Sequence, residues 1–103
     1  MDAAAQSEPS HRVLHEEPQS VTGVCGNVIY RVNGGESTLE GFERTRLYAE
    51  ELIRRYPNGI AKLVYSMPGS PMPSPELRKR IHEVAQSHAP YTLCMPMVFA
   101  PSD

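Results

Sequence analysis

The sequence has few cysteines, little net charge and no long apolar run, and each shortage excludes a class of protein. Two cysteines, Cys25 and Cys94, are too few for a small secreted domain stabilised by disulfides. Ten basic and 12 acidic side chains give a net charge of -2, which argues against a strongly basic nucleic-acid surface. No apolar run reaches the roughly 18 residues of a membrane-spanning helix. We therefore predict a protein that binds neither nucleic acid nor a membrane.

The cysteines and the N-terminus bear on the compartment in which the protein resides. Each cysteine stands in an apolar stretch, so we predict two buried, reduced thiols. A disulfide between the first and last strands is the alternative. Residues 1–6 have neither the basic nor the apolar region of a signal peptide. We therefore expect a cytoplasmic, reducing environment.

The chain divides by composition into an N-terminal arm and one small domain. Its 103 residues, of which 40% are hydrophobic, suffice for a single domain. Residues 1–20 are acidic, carry two prolines and contain one apolar pair, Val13 and Leu14. This composition is typical of a flexible arm, or of an arm with one short strand at residues 12–15. We predict an arm at residues 1–20 and an α/β domain at residues 21–103.

Three segments show the composition of β-strands. Residues 27–32 and 60–66 are rich in β-branched and aromatic side chains, and residues 91–99 are apolar. Pro96 lies inside the third segment and donates no backbone hydrogen bond, so a bulge or an edge position is expected there.

Two segments show the apolar spacing of amphipathic helices. Ser37 and Glu40 can form a capping box at the start of the first helix, and Pro57 ends it at Tyr56. Ser74 caps the second helix, with a proline at the first helical position. The apolar face of this second helix is formed by Leu77, Ile81, Val84 and Ala85.

The order of these elements predicts the fold class. Strands alternating with helices favour an α/β fold, here with a small mixed sheet of three to four strands and two helices. So few elements leave at least one face of the sheet partly bare. We therefore expect a protein partner or self-association, most simply a homodimer, to complete the domain.

No group of residues in the sequence has a recognised catalytic or cofactor-binding spacing. Gly34 and Gly35 lack the lysine and the spacing of a phosphate-binding loop, and Cys94 lies in an apolar strand, where thiols are usually inert. The histidines lack the spacing of metal ligands, and we interpret them as solvated surface side chains. These are His11, His15, His82 and His88. We predict no enzymatic activity, no cofactor and no metal.

The proline-rich segment 67–75 and the helix after it form the predicted partner-binding surface. Proline fixes φ, so the segment is expected to be an extended, stiff loop. Methionines at its edges suit a protein contact because their side chains adapt in shape, and a basic cluster follows. The predicted binding residues are Met67, Met72, Ser74, Arg78, Lys79 and Arg80.

Ser74 is also a candidate phosphorylation site. A phosphate there would lie at a helix N-terminus, where free amides and the helix dipole favour negative charge. The alternative is that Ser74 serves only as an N-cap.

Four stretches of the chain resemble a known family. They are GNVI at 26–29, YPNGI at 56–60, SPELR at 74–78 after the proline-rich loop, and the strand ending in Val98 and Phe99. From about residue 24 to residue 99 the chain is similar to STAS-like domains (sulfate transporter and anti-sigma-factor antagonist type), and most similar to a divergent bacterial group with small standalone members. The resemblance implies a mixed sheet with helices packed on it, no enzymatic activity, and binding of partner proteins or, in some members, of small ligands.

The resemblance also bears on Ser74 and on the length of the chain. In the anti-sigma-factor antagonists, a serine or threonine at the place comparable to Ser74 is phosphorylated by a partner kinase within an Asp-Ser-Ser-Gly-like motif. Here Ser74 is followed by Pro75, and that motif is absent. The family normally continues after the third strand, so we expect this chain to be a truncated or naturally short version.

Two hypotheses about function follow. The first is a non-enzymatic, STAS-like interaction or regulatory module in bacterial signalling. The second is a small ligand-binding or catalytic protein, with a pocket between the sheet and the proline-rich loop that Tyr30, Tyr65 and Tyr91 line. A filled apolar interface between sheet and helices would contradict the second hypothesis.

Overall fold

The computed structural model describes residues 11–99 and shows an α/β fold with one mixed sheet and two helices. The elements in chain order are β1 (His11–Glu17), β2 (Ser20–Cys25), β3 (Val28–Asn33), α1 (Leu39–Arg55), β4 (Ile60–Ser66), α2 (Pro75–His88), a 3₁₀ turn (Ala89–Tyr91), β5 (Thr92–Cys94) and β6 (Met97–Phe99). The predicted α/β class with a mixed sheet and two helices is confirmed. The predicted count of three to four strands is wrong, because the described residues alone contribute six strands to the sheet.

The sheet combines an antiparallel half with a parallel half. β1 pairs with β2 and β2 with β3 in antiparallel fashion, while β3 and β4 are parallel. β5 and β6 both pair with β4 in parallel and together form the edge of the sheet. The break between them is at Met95 and Pro96, and the Pro96 carbonyl accepts a hydrogen bond from the Val64 amide at 3.1 Å. The expected edge position of Pro96 is therefore confirmed.

Both helices lie on the same face of the sheet. The two connections, β3–α1–β4 and β4–α2–β5, step across the sheet in the same direction, and right-handed crossovers of this kind place their helices on one side. Ile29 and Lys62 are directly opposite in register and share this face: Ile29 packs in the core with α1, and Lys62 contacts His88 of α2. Neither helix packs on the other face, where Leu63 and Val98 are exposed.

β2 is the element that the sequence does not predict. Gly23 interrupts the β-branched pattern of this strand, and the structure shows why a glycine is needed there. Gly23 lies opposite Tyr30, and a Cβ at position 23 would overlap the phenol ring. The short strand expected at residues 12–15 is present as the longer β1. Residues 1–10 of the predicted arm lie outside the described residues.

α1 begins one residue later than the predicted capping box requires. Thr38 is the N-cap instead of Ser37, and its hydroxyl accepts a hydrogen bond from the Gly41 amide at 3.1 Å. The Glu40 carboxylate bonds to an arginine one turn further along rather than reaching back to the cap. The helix ends at Arg55, within one residue of the predicted end.

The core lies mainly between α1 and the sheet. It consists of Val24, Ile29, Ala49, Leu52 and Ile60. α2 is anchored separately, by the buried side chains of Leu77 and Val84. The two helices therefore pack on the sheet through separate sets of buried side chains, and the core residues do not fill the space between the helices.

Two further observations bear on the predicted environment. Cys25 and Cys94 are both free, but both are exposed, so the prediction of buried thiols is wrong. Within residues 11–99, neither helix is long and apolar enough to cross a membrane.

Candidate functional site

A cavity of about 450 Å³ lies between the helix-bearing face of the sheet, the two helices and the proline-rich loop. Its volume is within the range of pockets that bury small organic ligands. The walls are mostly apolar. They include Ile29, Phe42, Ala49, Ile81, Val84 and Ala85. The interface between sheet and helices is therefore not filled.

Small side chains from both helices line the cavity: Ala49 of α1 and Ala85 of α2. The helices are linked by long polar side chains, for example by Arg80 and Glu43 at 3.1 Å.

A chain of three polar side chains crosses one end of the cavity. Lys62 Nζ lies 2.6 Å from His88 Nδ1, and His88 Nε2 lies 3.1 Å from a Glu50 carboxylate oxygen. Lys62 and His88 line the cavity, and His88 is 4% exposed. Burial lowers the pKa of Lys62 and that of His88, while the hydrogen bond from His88 lowers the pKa of Glu50. The site therefore holds a partly desolvated ammonium group beside a buried imidazole.

The burial of His88 corrects the prediction that all four histidines are solvated. His88 follows Val84 by four residues and Leu77 by eleven, so it continues the buried stripe of α2 to the last helical residue. This spacing was visible in the sequence. His15 also differs from the prediction, because it is half-buried and lies 3.0 Å from Glu17. His11 and His82 are exposed as predicted.

Arg31 is a second cation that enters the helix-bearing face. Its side chain donates from Nε to Asn33 at 2.8 Å and from Nη1 to the Thr45 and Thr22 hydroxyls at 2.8 and 3.3 Å. Thr22 is 1% exposed, so this contact lies deep in the fold. Burial lowers the pKa of Arg31. Side chains alternate between the two faces of a strand, so the sequence predicts that Arg31 shares a face with Ile29. Nothing in the sequence indicates that Arg31 makes no ion pair with a carboxylate.

The structure brings some of the predicted partner-binding residues together at the mouth of the cavity. Met67, Met72 and Arg78 line it, and all three are exposed. Arg80 instead turns to Glu43, and Lys79 is exposed on α2 without lining the cavity. The predicted cluster is thus divided between the cavity mouth and the outer face of α2.

Ser74 is the N-cap of α2. Its hydroxyl accepts a hydrogen bond from the Leu77 amide at 3.1 Å, and the residue is exposed. The capping role is confirmed, and phosphorylation stays a prediction.

Of the three tyrosines expected to line a pocket, Tyr30 lines the cavity and the other two do not. Tyr65 and Tyr91 are not among the lining residues. Tyr30 borders it only where β3 passes, because its ring lies on the opposite face over Gly23. Two of the polar groups that line the cavity, Lys62 and His88, come from the interior of β4 and the end of α2.

Within residues 11–99, no group of three or more His, Cys, Asp or Glu side chains is placed to hold a metal ion. No family model, curated protein or solved structure matches the chain.

Proposed function

We propose that the protein binds a small organic ligand in the cavity between the sheet and the two helices. The observation that carries the proposal is the open space itself, which is about 450 Å³ in a domain of this size. The cavity opens to the surface at Met67, Met72 and Arg78, and its walls are mostly apolar. A bound molecule would remove this apolar surface from water, which is the main favourable contribution to binding in such sites.

The free cysteines support a cytoplasmic location for this binding protein. Cys25 and Cys94 are unpaired and exposed, and exposed thiols persist in a reducing compartment. The proposal requires binding only, without catalysis.

The binding proposal is tested with N-phenylnaphthylamine, an uncharged apolar fluorophore. We expect its fluorescence to rise when it is titrated with the full chain, because the apolar walls exclude water from the dye. Ala85→Phe places a ring in the cavity and is expected to abolish the rise. Val98→Lys alters the open face of the sheet instead and is expected to leave it unchanged.

Two results contradict the proposal. One is the absence of a fluorescence rise with the full chain. The other is a rise that Ala85→Phe leaves intact and Val98→Lys abolishes, because the dye then binds the open face of the sheet.

A second proposal, suggested by the open face of the sheet, is that the protein acts as an interaction module and forms a homodimer through this face. Val28, Tyr30 and Val32 of β3 share it with Leu63 and Tyr65 of β4, as their register shows. These side chains carry no formal charge, so two copies can stack without like-charge repulsion. The STAS-like resemblance and its regulatory role in signalling belong to this proposal, which the mixed sheet with helices on one face supports.

Sedimentation equilibrium tests the dimer. We expect the full chain to dimerise and Leu63→Lys to shift it toward the monomer, because a charge would then be buried in the interface. A full chain that stays monomeric at high concentration contradicts the dimer proposal and leaves ligand binding unaffected.

A further inference from the structure

We infer that the ligand of the cavity is an apolar monocarboxylate, held by its carboxylate at Lys62 and Arg31 and by its hydrocarbon part between the helices. This inference rests on the proposed binding function and specifies the chemistry of the ligand. It is carried by the charge of the cavity lining and by the partners of two half-buried cations.

The charged residues that line the cavity are all basic. They are Arg31, Arg46, Lys62 and Arg78, and no Asp or Glu of residues 11–99 is among the lining residues. Arg46 is already neutralised, by Glu43 at 3.0 Å and Glu50 at 2.9 Å. Arg78 lies at the exposed mouth. The net positive charge inside the cavity therefore comes from Arg31 and Lys62.

These two cations have only neutral groups as hydrogen-bond partners. Arg31 donates to an amide oxygen and two hydroxyls, and Lys62 contacts an imidazole nitrogen. Among the described residues, no carboxylate lies within 4 Å of either side chain. A buried charge without an opposite charge is costly, so an anion entering the cavity would gain from both. Burial lowers the pKa of each group, and the more distant carboxylates Glu17 (for Arg31) and Glu50 (for Lys62) offset this lowering only in part.

Arg31 and Lys62 lie on the same face of the sheet, which forms one wall of the cavity. Ile29 pairs with Lys62 and Arg31 pairs with Val64, so the two cations are diagonal neighbours on one face of β3 and β4. Diagonal positions on adjacent strands are within reach of long side chains. In the proposed complex, a single carboxylate between these two positions would have one cation on each strand and the apolar walls of the cavity beside it.

The remainder of the ligand must be apolar and small. The apolar lining includes Phe42 of α1, Ile81 and Ala85 of α2, and Met97 of β6. A cavity of about 450 Å³ is within the range of pockets that hold small organic ligands. Decanoate, with one carboxylate and one unbranched hydrocarbon chain, is therefore a suitable probe. A cationic ligand would be repelled by Arg31 and Lys62, and an uncharged ligand would leave both cations unpaired.

Calorimetric titration of the full chain with decanoate, decanol and decylamine at neutral pH tests the inference. The three probes share one hydrocarbon chain and differ in charge. We expect decanoate to bind at least about tenfold more tightly than decanol, since charge-assisted hydrogen bonds are about twice as strong as neutral ones. Decylamine is expected to bind more weakly than decanol.

Variants locate the carboxylate. Lys62→Met and Arg31→Met should each weaken decanoate binding about tenfold and change decanol binding less than about twofold. Lys62→Arg keeps the positive charge and is expected to retain the preference for decanoate. The comparison of the three probes with the unaltered chain does not depend on whether any variant folds.

The outcomes separate the inference from the proposed function. If N-phenylnaphthylamine binds but decanol or decylamine binds as tightly as decanoate, the inference is overturned and the binding function stands. If the dye and all three probes fail to bind, both are overturned. Binding of decanoate that neither Lys62→Met nor Arg31→Met weakens also overturns the inference.

Discussion

The Lys62 ammonium and His88 Nδ1 are 2.6 Å apart, and this contact joins the middle of β4 to the last residue of α2. His88 then reaches Glu50 of α1 at 3.1 Å, so three elements meet through one buried histidine. When Nδ1 accepts a hydrogen bond from Lys62, the imidazole is neutral and its proton is on Nε2, where it is donated to Glu50. A protonated His88 would place two cations in contact.

This contact predicts a loss of stability in mild acid. Burial lowers the pKa of His88, and the nearby charges of Lys62 and Arg46 act in the same direction, against the hydrogen bond to Glu50. The unfolded chain therefore binds a proton below about pH 6.5 that the folded protein resists. The contribution of His88 to the free energy of unfolding is fully present above this pH. It is lost as the pH decreases toward the lowered pKa of His88 in the folded state.

Urea denaturation at a series of pH values measures this effect. His88→Gln is expected to give a flatter profile just below about pH 6.5. His82→Gln, which alters an exposed histidine of the same helix, is the matched control and should keep the profile of the unaltered protein. An equally steep decline in His88→Gln would show that another group is responsible.

Loss of the α2 cap is expected to destabilise the protein. Ser74→Ala removes the acceptor of the Leu77 amide and should lower the free energy of unfolding by about 1 kcal/mol. Ser74→Asp should retain most of this stability, because aspartate is also a good N-cap and its charge favours the helix N-terminus. Ser87→Ala, on the exposed side of the same helix, should cost nothing. Equal stability of Ser74→Ala and the unaltered protein contradicts the capping role.

The contact between Gly23 and Tyr30 is tested with a double-mutant cycle. Gly23→Ala puts a Cβ where the phenol ring lies and is expected to cost about 1–3 kcal/mol. The same change in a Tyr30→Ala background should cost much less, because the ring is absent. If the stability losses of Gly23→Ala and Tyr30→Ala simply add in thermal denaturation, the close approach of the Tyr30 ring is not the reason that position 23 requires glycine.

Partial filling of the cavity is expected to stabilise the unliganded protein. Ala85→Leu adds apolar atoms to the space between the helices and should raise the free energy of unfolding by about 0.5–2 kcal/mol. Ala61→Leu adds the same atoms on the open face of the sheet, where no helix packs, and should give a smaller gain. A larger gain at Ala61 than at Ala85 would mean that the cavity is already filled by relaxation of its walls.

The sequence predicts the elements whose signals are local. The bounds of β4, the end of α1 at Pro57 and the start of α2 at Ser74 depend on neighbouring residues, and the structure agrees with them. β2 is missed because Gly23 is explained only by Tyr30, which belongs to the next strand. A local pattern cannot show such a contact.

The candidate site depends on distances between helices and strands, and the sequence predicts few of its features. Leu77, Ile81, Val84 and Ala85 are correctly assigned to the inner face of α2, and His88 continues that face by simple spacing. The space beneath them arises from how far α1 and α2 stand apart. Periodicity gives the direction of a side chain but not the distance to the helix that it faces.

The most direct measurement is a map of ligand contacts by nuclear magnetic resonance, with methyl groups labelled and N-phenylnaphthylamine or decanoate added. The account predicts chemical-shift changes at Ile81, Val84 and Val64, which line the cavity, and little change at Val98 and Val13, which are exposed on the other face. Changes confined to Val98 and Val13, or no changes at all, would contradict a ligand site between the sheet and the helices.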